Sequence, residues 1–233
     1  MGTSDKKQEA IAERARQLRL VEALMEQGVS FADPARVDIR GELTCGKDVF
    51  IDINAVFEGR VSLGDNARIE PNNLIRDSEI GSGTVIHSNC HIERSKTGRD
   101  CEIGPFSRLR PEAELADRVK IGNFVEIKKS TIAEGSKVNH LSYIGDTTIG
   151  TGVNVGAGTI TCNYDGANKY RTVIGDSAFI GSGVELVAPL EIGADATIGA
   201  GSTITKTVPA GKLTLERTKQ VTLSAWKPPT KKS

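Results

Sequence analysis

Aromatic side chains make up only 4 % of this 233-residue sequence, so its core cannot be built on packed rings. Net charge is missing as well, because 30 Lys and Arg balance 30 Asp and Glu. That balance gives no electrostatic reason to expect nucleic acid or an anionic membrane as a partner. No run approaches the roughly eighteen apolar residues of a membrane span. No apolar signal core follows the N-terminus, so a cytoplasmic location is expected. The four cysteines, Cys45, Cys90, Cys101 and Cys162, show no C-x-x-C spacing, which argues against a zinc or redox motif. Reduced thiols are the expectation. Glycine, by contrast, is plentiful at 25 residues, and small aliphatic residues recur in a fixed rhythm. The length allows one large or two small domains.

Residues 1–4 read as an expression remnant or a ragged start. A helix is expected from about Asp5 to Gln27, with Asp5 capping its first turn and Gly28 ending it. Its apolar stripe would be Ile11, Ala15, Leu18, Val21 and Met25. One stripe cannot bury itself, so residues 1–30 are read as a helix lying on something else.

From Ile39 a large residue recurs every six positions: Ile39, Cys45, Ile51, Phe57, Leu63, Ile69 and Ile75. After occasional five-residue steps the series continues through Ile103, Leu109, Ile121, Ile127, Val138, Ile144 and Val155. It resumes at Ile174 and runs to Ile204. Two residues earlier stand small or β-branched side chains such as Ala67, Cys90, Cys101, Ser142, Val153 and Ala178. Alternate residues of a strand share a face, so each hexad is one short strand with a large and a small residue pointing inward. Cys45, Cys90 and Cys101 are thereby core thiols. Glycine often follows the large residue, as at 104, 122, 156 and 181, and is read as a corner of unusual backbone geometry. Such periodicity marks a parallel β-helix, three hexads to a triangular coil, with coils stacked about 4.8 Å apart. Residues 31–205 form this domain, with an irregular arm over 206–233. That arm carries several lysines and the lone Trp226, which is expected to dock.

Outward positions then follow. Arg110 and Lys128 are one coil apart on one edge, with Lys129 beside them. Stacked cations repel, and an anion such as phosphate would relieve them. Glu126 and Tyr143 are likewise one coil apart, with His140 at a nearby corner. Asn154 and Ala157 lie in the next coil. Ser182 and Ala200 form a smooth corner in successive coils. Thr161 to Arg171 shows no inward residue in register and should loop out, carrying two of the three tyrosines, Tyr164 and Tyr170.

Four runs, GPFSRLRP (104–111), GNFVEIKK (122–129), NHLSYIGD (139–146) and NVGAGTITCNYDGANK (154–169), closely resemble the acetyltransferase domain of the bacterial bifunctional N-acetylglucosamine-1-phosphate uridyltransferase/glucosamine-1-phosphate N-acetyltransferases. The resemblance covers about residues 5 to 227. It implies a left-handed β-helix, a homotrimer with active sites between subunits, and acetyl-CoA-dependent N-acetylation of glucosamine 1-phosphate on the way to UDP-N-acetylglucosamine for the cell envelope. His140 would be the general base, with Glu126 positioning it. Arg110, Lys128, Tyr143, Asn154 and Lys169 would bind the sugar phosphate. Ala157, Asn163, Tyr164, Ser182, Ala200 and Arg217 would contact acetyl-CoA, with Asn163 or a backbone N–H near Ala157 facing the oxyanion. The nucleotide-binding domain of the family, with its Gly-rich loop and Mg2+ requirement, has no counterpart in the sequence. Residues 5–27 resemble the connector helix, so the chain is expected to be a C-terminal fragment needing no metal. Three alternatives stay open: a zinc site using His87, His91 and His140, a non-catalytic β-helix scaffold, and a hexapeptide acyltransferase with another acceptor. His87 and His91 are read as structural, being far from His140 along the coil axis.

Overall fold

A computed structural model describes residues 5–227; the expectations for residues 1–4 and for the lysines and prolines of 228–233 lie outside the described residues. The chain winds as a left-handed parallel β-helix of stacked coils behind one N-terminal helix. One edge of the stack can be followed through Phe50, Arg68, Val85, Glu102, Lys120, Lys137, Asn154, Phe179, Thr197 and Leu213, each paired in parallel with the next. Coils of 17 or 18 residues follow from this register, as in Val85 to Glu102 and Glu102 to Lys120.

The hexad positions named from the sequence form the core. Ile51, Ile69, Ile75, Ile86, Ile92, Ile103, Leu109, Ile127 and Ile144 are fully buried, and so are Ala67, Cys101 and Val119 on the small positions. Cys45 is the exception, being half-buried near the helix end of the stack. Burial pushes its thiol up to about 12 and that of Cys90 up to about 11, which leaves both as inert apolar groups.

Helix α1 spans Lys6–Glu26, and the Asp5 carboxylate accepts from the Lys7 N–H as an N-cap. The buried face shares Val21 with the expected stripe but departs from it elsewhere. Ile11 and Met25 are exposed, whereas Gln17, Val21 and Leu24 are buried. The reason is the open edge of the first coil. Gln17 Nε2 donates to the Ile39 carbonyl at 3.0 Å, and its Oε1 accepts from the Ile39 N–H at 2.7 Å. An edge strand with unpaired backbone needs an amide more than a methyl group, so a polar residue wins the buried position.

The glycines after inward residues also have a different cause from the one expected. Among those read as corners, Gly104 alone has a positive φ. The rest sit where coils approach closely: a Cβ on Gly122 would collide with the Asn139 carbonyl, and one on Gly181 with the Ala200 backbone. Left-handed corners fall mainly on Asp48, Asn66, Asn72, Asn89 and Asp100 and on other glycines such as Gly135 and Gly158. Asn and Asp tolerate that region better than other side chains.

The rhythm breaks later than the sequence suggests. Thr161 is 1 % exposed and pairs with Leu186 inside the strand Ile160–Cys162. Its hydroxyl accepts from the Gly145 N–H at 2.8 Å, so a polar side chain is satisfied in a core position. The excursion follows Cys162, and Ile149 then pairs with Ile174, 25 residues on. The far end is also more regular than expected: Leu213–Thr214 still pairs with Thr197–Ile198. Trp226, expected to dock, is 65 % exposed on this chain.

Candidate active site

The column of outward residues just after the core position alternates in charge through the first coils: Arg40, Glu58, Arg76, Glu93. Each neighbour neutralises the next, as in the 3.1 Å pair of Arg40 and Glu58 and the pair of Arg76 and Glu58. Arg110 continues the order, but Lys128 stands above it where a carboxylate is due. Two cations therefore stack, as the sequence indicates, and each recruits a carboxylate from a different column. Arg110 Nη1 donates to Glu126 Oε1 at 2.8 Å. Lys128 Nζ lies 3.4 Å from Asp146 Oδ2.

Asp146 escaped the sequence reading. It is 8 % exposed, and its Oδ2 also accepts from Asn163 Nδ2. Lys129 Nζ stands 3.9 Å from Oδ1. Lys169 reaches the same group from the excursion, and its ammonium is held below its ordinary range chiefly by Lys128. For Lys128, burial works toward the neutral form, but Lys169 and then Asp146 outweigh it and hold the ammonium above its usual range. Of the two amines, Lys128 has the carboxylate and keeps its charge; the exposed Lys169 bears the repulsion. Tyr143 lies against Gly145, where any Cβ would strike its ring and hydroxyl.

The excursion is a small hairpin. Tyr164 and Lys169 form an antiparallel bridge, the Tyr170 N–H donates to the Asn163 carbonyl at 2.9 Å, and Asp165 Oδ1 accepts from the N–H groups of Ala167 and Asn168. Those two N–H groups, Asn168 first, hold the Asp165 carboxyl below its ordinary range. Asn163 is 7 % exposed and turned toward Asp146, which leaves it poorly placed to face an oxyanion. Tyr164 is exposed.

His140 belongs to a second group. It ends the strand Lys137–His140 at an exposed corner and pairs in register with Asn123. Its Nδ1 lies 2.9 Å from Asn123 Oδ1, not against Glu126. The expected positioning of His140 by Glu126 is therefore not made within one chain, because Arg110 engages that carboxylate. Above His140 the corner continues with Ala157, Ser182 and Ala200, each joined to the coil below by a backbone hydrogen bond: Gly158 to His140, Gly183 to Ala157, Gly201 to Ser182. Arg217 lies over Gly201 in the same line. Below His140 the corner is bulky: Phe106 and Phe124 stack with ring centroids 5.3 Å apart, and exposed Leu141 follows. Above it the matching positions are Gly158, Gly183 and Gly201, so a bare channel starts at the imidazole. Asn154 pairs with Lys137 and Phe179, on the face leading into that corner and apart from Arg110 and Lys128. Among the described residues no group of three His, Cys, Asp or Glu could hold a metal ion. No helix of the described chain is long and apolar enough to cross a membrane.

Comparison with known proteins agrees with this architecture. The family model described as bacterial transferase hexapeptide (six repeats) matches residues 171–206. The chain is 57 % identical over 231 residues to the bifunctional protein GlmU of Ralstonia pickettii (strain 12J), covering 99 % of this chain and 51 % of that protein. It is 58 % identical over 233 residues to GlmU of Cupriavidus pinatubonensis (strain JMP 134 / LMG 1197), covering 100 % and 51 % respectively. The chain thus spans about half the length of the curated relatives it matches. Among solved structures, an Arabidopsis UDP-N-acetylglucosamine acyltransferase superposes with a TM-score of 0.64 at 17 % identity, over 75 % of this chain and 68 % of that one, a likeness of fold alone. The similarity to GlmU proteins therefore extends beyond the four sequence runs to the whole chain, a left-handed β-helix with hexapeptide repeats.

Proposed function

We propose that the chain transfers the acetyl group of acetyl-CoA to the amino group of glucosamine 1-phosphate, yielding N-acetylglucosamine 1-phosphate and free CoA. The observation that carries this reading is the break in charge alternation at Lys128, where Arg110, Lys128 and Lys169 collect on one face of a chain whose nearby corner is bare above an exposed histidine. A cation cluster suits a sugar phosphate. A smooth channel suits the pantetheine arm of a thioester.

The chemistry follows from the groups available. The neutral amine attacks the thioester carbon, His140 Nε2 takes the ammonium proton as it forms, and the thiolate of CoA leaves. Asn123 Oδ1 accepts from Nδ1–H and so keeps Nε2 free as the base. A backbone N–H near Ala157, one coil above His140, would face the developing oxyanion. Lys128, Lys169 and Arg110 hold the phosphate, and Tyr143 and Asn154 the sugar. Tyr164, Ser182, Ala200 and Arg217 line the path of the CoA arm. Asn163 supports the hairpin.

The cation face and the histidine corner make no mutual contact within one chain among the described residues, which favours a homotrimer in which one subunit's corner closes on its neighbour's face. In a cell this reaction would precede uridylylation in the cytoplasm and feed UDP-N-acetylglucosamine into the bacterial envelope. Acetyl transfer itself needs no metal.

Release of CoA thiol, followed with acetyl-CoA and glucosamine 1-phosphate, tests the reading. Turnover should depend on the 1-phosphate, with glucosamine a poor substitute. A folded trimer that releases no thiol with this acceptor would sink the assignment. Release with a different amino sugar alone would turn it into a hexapeptide acyltransferase for another acceptor.

A further inference from the structure

We propose that Asp146 is a positioning residue for the acceptor's anionic group: one carboxylate ties the Lys128 ammonium to the hairpin through Asn163. This rests on the reading of the cation face as an acceptor site.

The geometry is that of a junction. Asp146 is 8 % exposed, and Oδ2 receives both Asn163 Nδ2 and Lys128 Nζ, the latter at 3.4 Å. Its N–H donates to the Lys128 carbonyl at 3.0 Å, and its carbonyl accepts from the Thr172 N–H at 3.3 Å, where the chain returns from the hairpin. The residue adopts φ +50°, a left-handed conformation in which Asp is tolerated. Backbone and side chain thus lock the coil below, the root of the hairpin and its return strand to one point. An anion-binding lysine gains selectivity only when its ammonium is held in place, and a buried carboxylate does that better than solvent.

The charges facing this point are mostly of one sign. Lys128 and Lys129 come from the coil below, and Lys169 from the hairpin. Tyr143 lies on the same strand as Gly145. In the coil above, Cys162 and Glu185 engage each other at 3.5 Å. Asp146 is therefore the counter-charge of three lysines. Without it, burial weighs Lys128 toward its neutral form. The sign is definite: a lowered lysine pKa costs anion binding as pH rises through it, and costs nothing well below it.

The experiment compares wild type with Asp146→Asn, whose amide oxygen can still accept from Asn163. Lysine ε-carbon NMR titration reads the ammonium groups directly, and steady-state kinetics reads KM for glucosamine 1-phosphate at pH 6.5 and 9. Titrations of the acceptor itself are common to both proteins and cancel in the ratio. In Asp146→Asn the Lys128 signal should titrate below its wild-type position by at least about one unit, with the KM ratio between the two pH values rising above that of wild type. Asp146→Glu restores the carboxylate and should bring both readouts back toward wild type, a rescue that a merely structural role would not give. Unmoved titration and an unchanged KM ratio overturn the proposal. If the variant does not assemble, the wild type still decides: Lys128 must stay protonated through pH 9, and deprotonation below that pH overturns the idea. Absence of turnover in the wild type would sink the acceptor assignment alone, and the titration would still rule on Asp146.

Discussion

Asn123 Oδ1 stands 2.9 Å from His140 Nδ1, one coil below it in direct register. The amide, not a carboxylate, is the imidazole's partner within the chain. His140→Ala should therefore lower kcat by about 10²–10⁴-fold, the usual range for a general base. Asn123→Ala should lower kcat by about tenfold with little change in KM, because it loosens the ring without removing it. Steady-state kinetics with both substrates checks this; near-normal turnover by the His140 variant would dismiss it as the base.

Glu126 now has a different expected role. Its carboxylate and Arg110 are each about one-third exposed, so their pair is worth roughly 0.2–1 kcal/mol. Substituting Glu126 by Gln should act mainly on KM for the phosphorylated sugar, lowering it by freeing Arg110, whereas Lys128→Ala should raise that KM. A loss confined to kcat in the Glu126 variant would instead return it to the side of His140, across a subunit boundary.

Two glycine substitutions separate the two reasons for glycine. Gly122→Ala drives a methyl into the Asn139 carbonyl and should cost about 1–3 kcal/mol or prevent assembly. Gly135 has φ +69° and open space around it, so Gly135→Asn should cost no more than a few tenths of a kcal/mol. Thermal unfolding of the two variants side by side gives the answer; equal losses would contradict the close-approach account.

Gln17→Leu should destabilise the first coil by about 1–3 kcal/mol, because the N–H and carbonyl of Ile39 lose their partners while an apolar side chain of similar size is kept. Hydrogen exchange at Ile39 would report it locally, and unchanged protection would show that the amide matters little.

The coils were legible in the sequence because a six-residue period fixes which side chains point inward. Arithmetic on that period stacked Lys128 on Arg110 and linked Glu126 to Tyr143. The same 17-residue step links Asn123 to His140, and an 18-residue step from Lys128 reaches Asp146. Neither was picked out, because both look like ordinary polar corner residues until their side-chain directions are known. Thr161 was misplaced for a related reason: a hydroxyl reads as outward unless one sees the backbone N–H that satisfies it. Helix α1 failed at the stripe because periodic apolarity cannot register a demand for hydrogen bonds at the end of a stack. The separation of His140 from the cation face depends on how chains assemble, which no residue spacing within one chain can encode.

The amide of Gln17 at the first coil carries a consequence for association. A parallel stack has no natural length, since the last strand at either end is a template for another. Helix α1 closes the template at one end, and among the described residues short pairings by Val208 and Leu213–Thr214 succeed the last coil at the other. Trimming the chain back to residue 28 should expose a ready nucleus for end-to-end growth, turning a discrete particle into filaments visible by electron microscopy. The helix then works as a terminator of polymerisation, whatever else it connects.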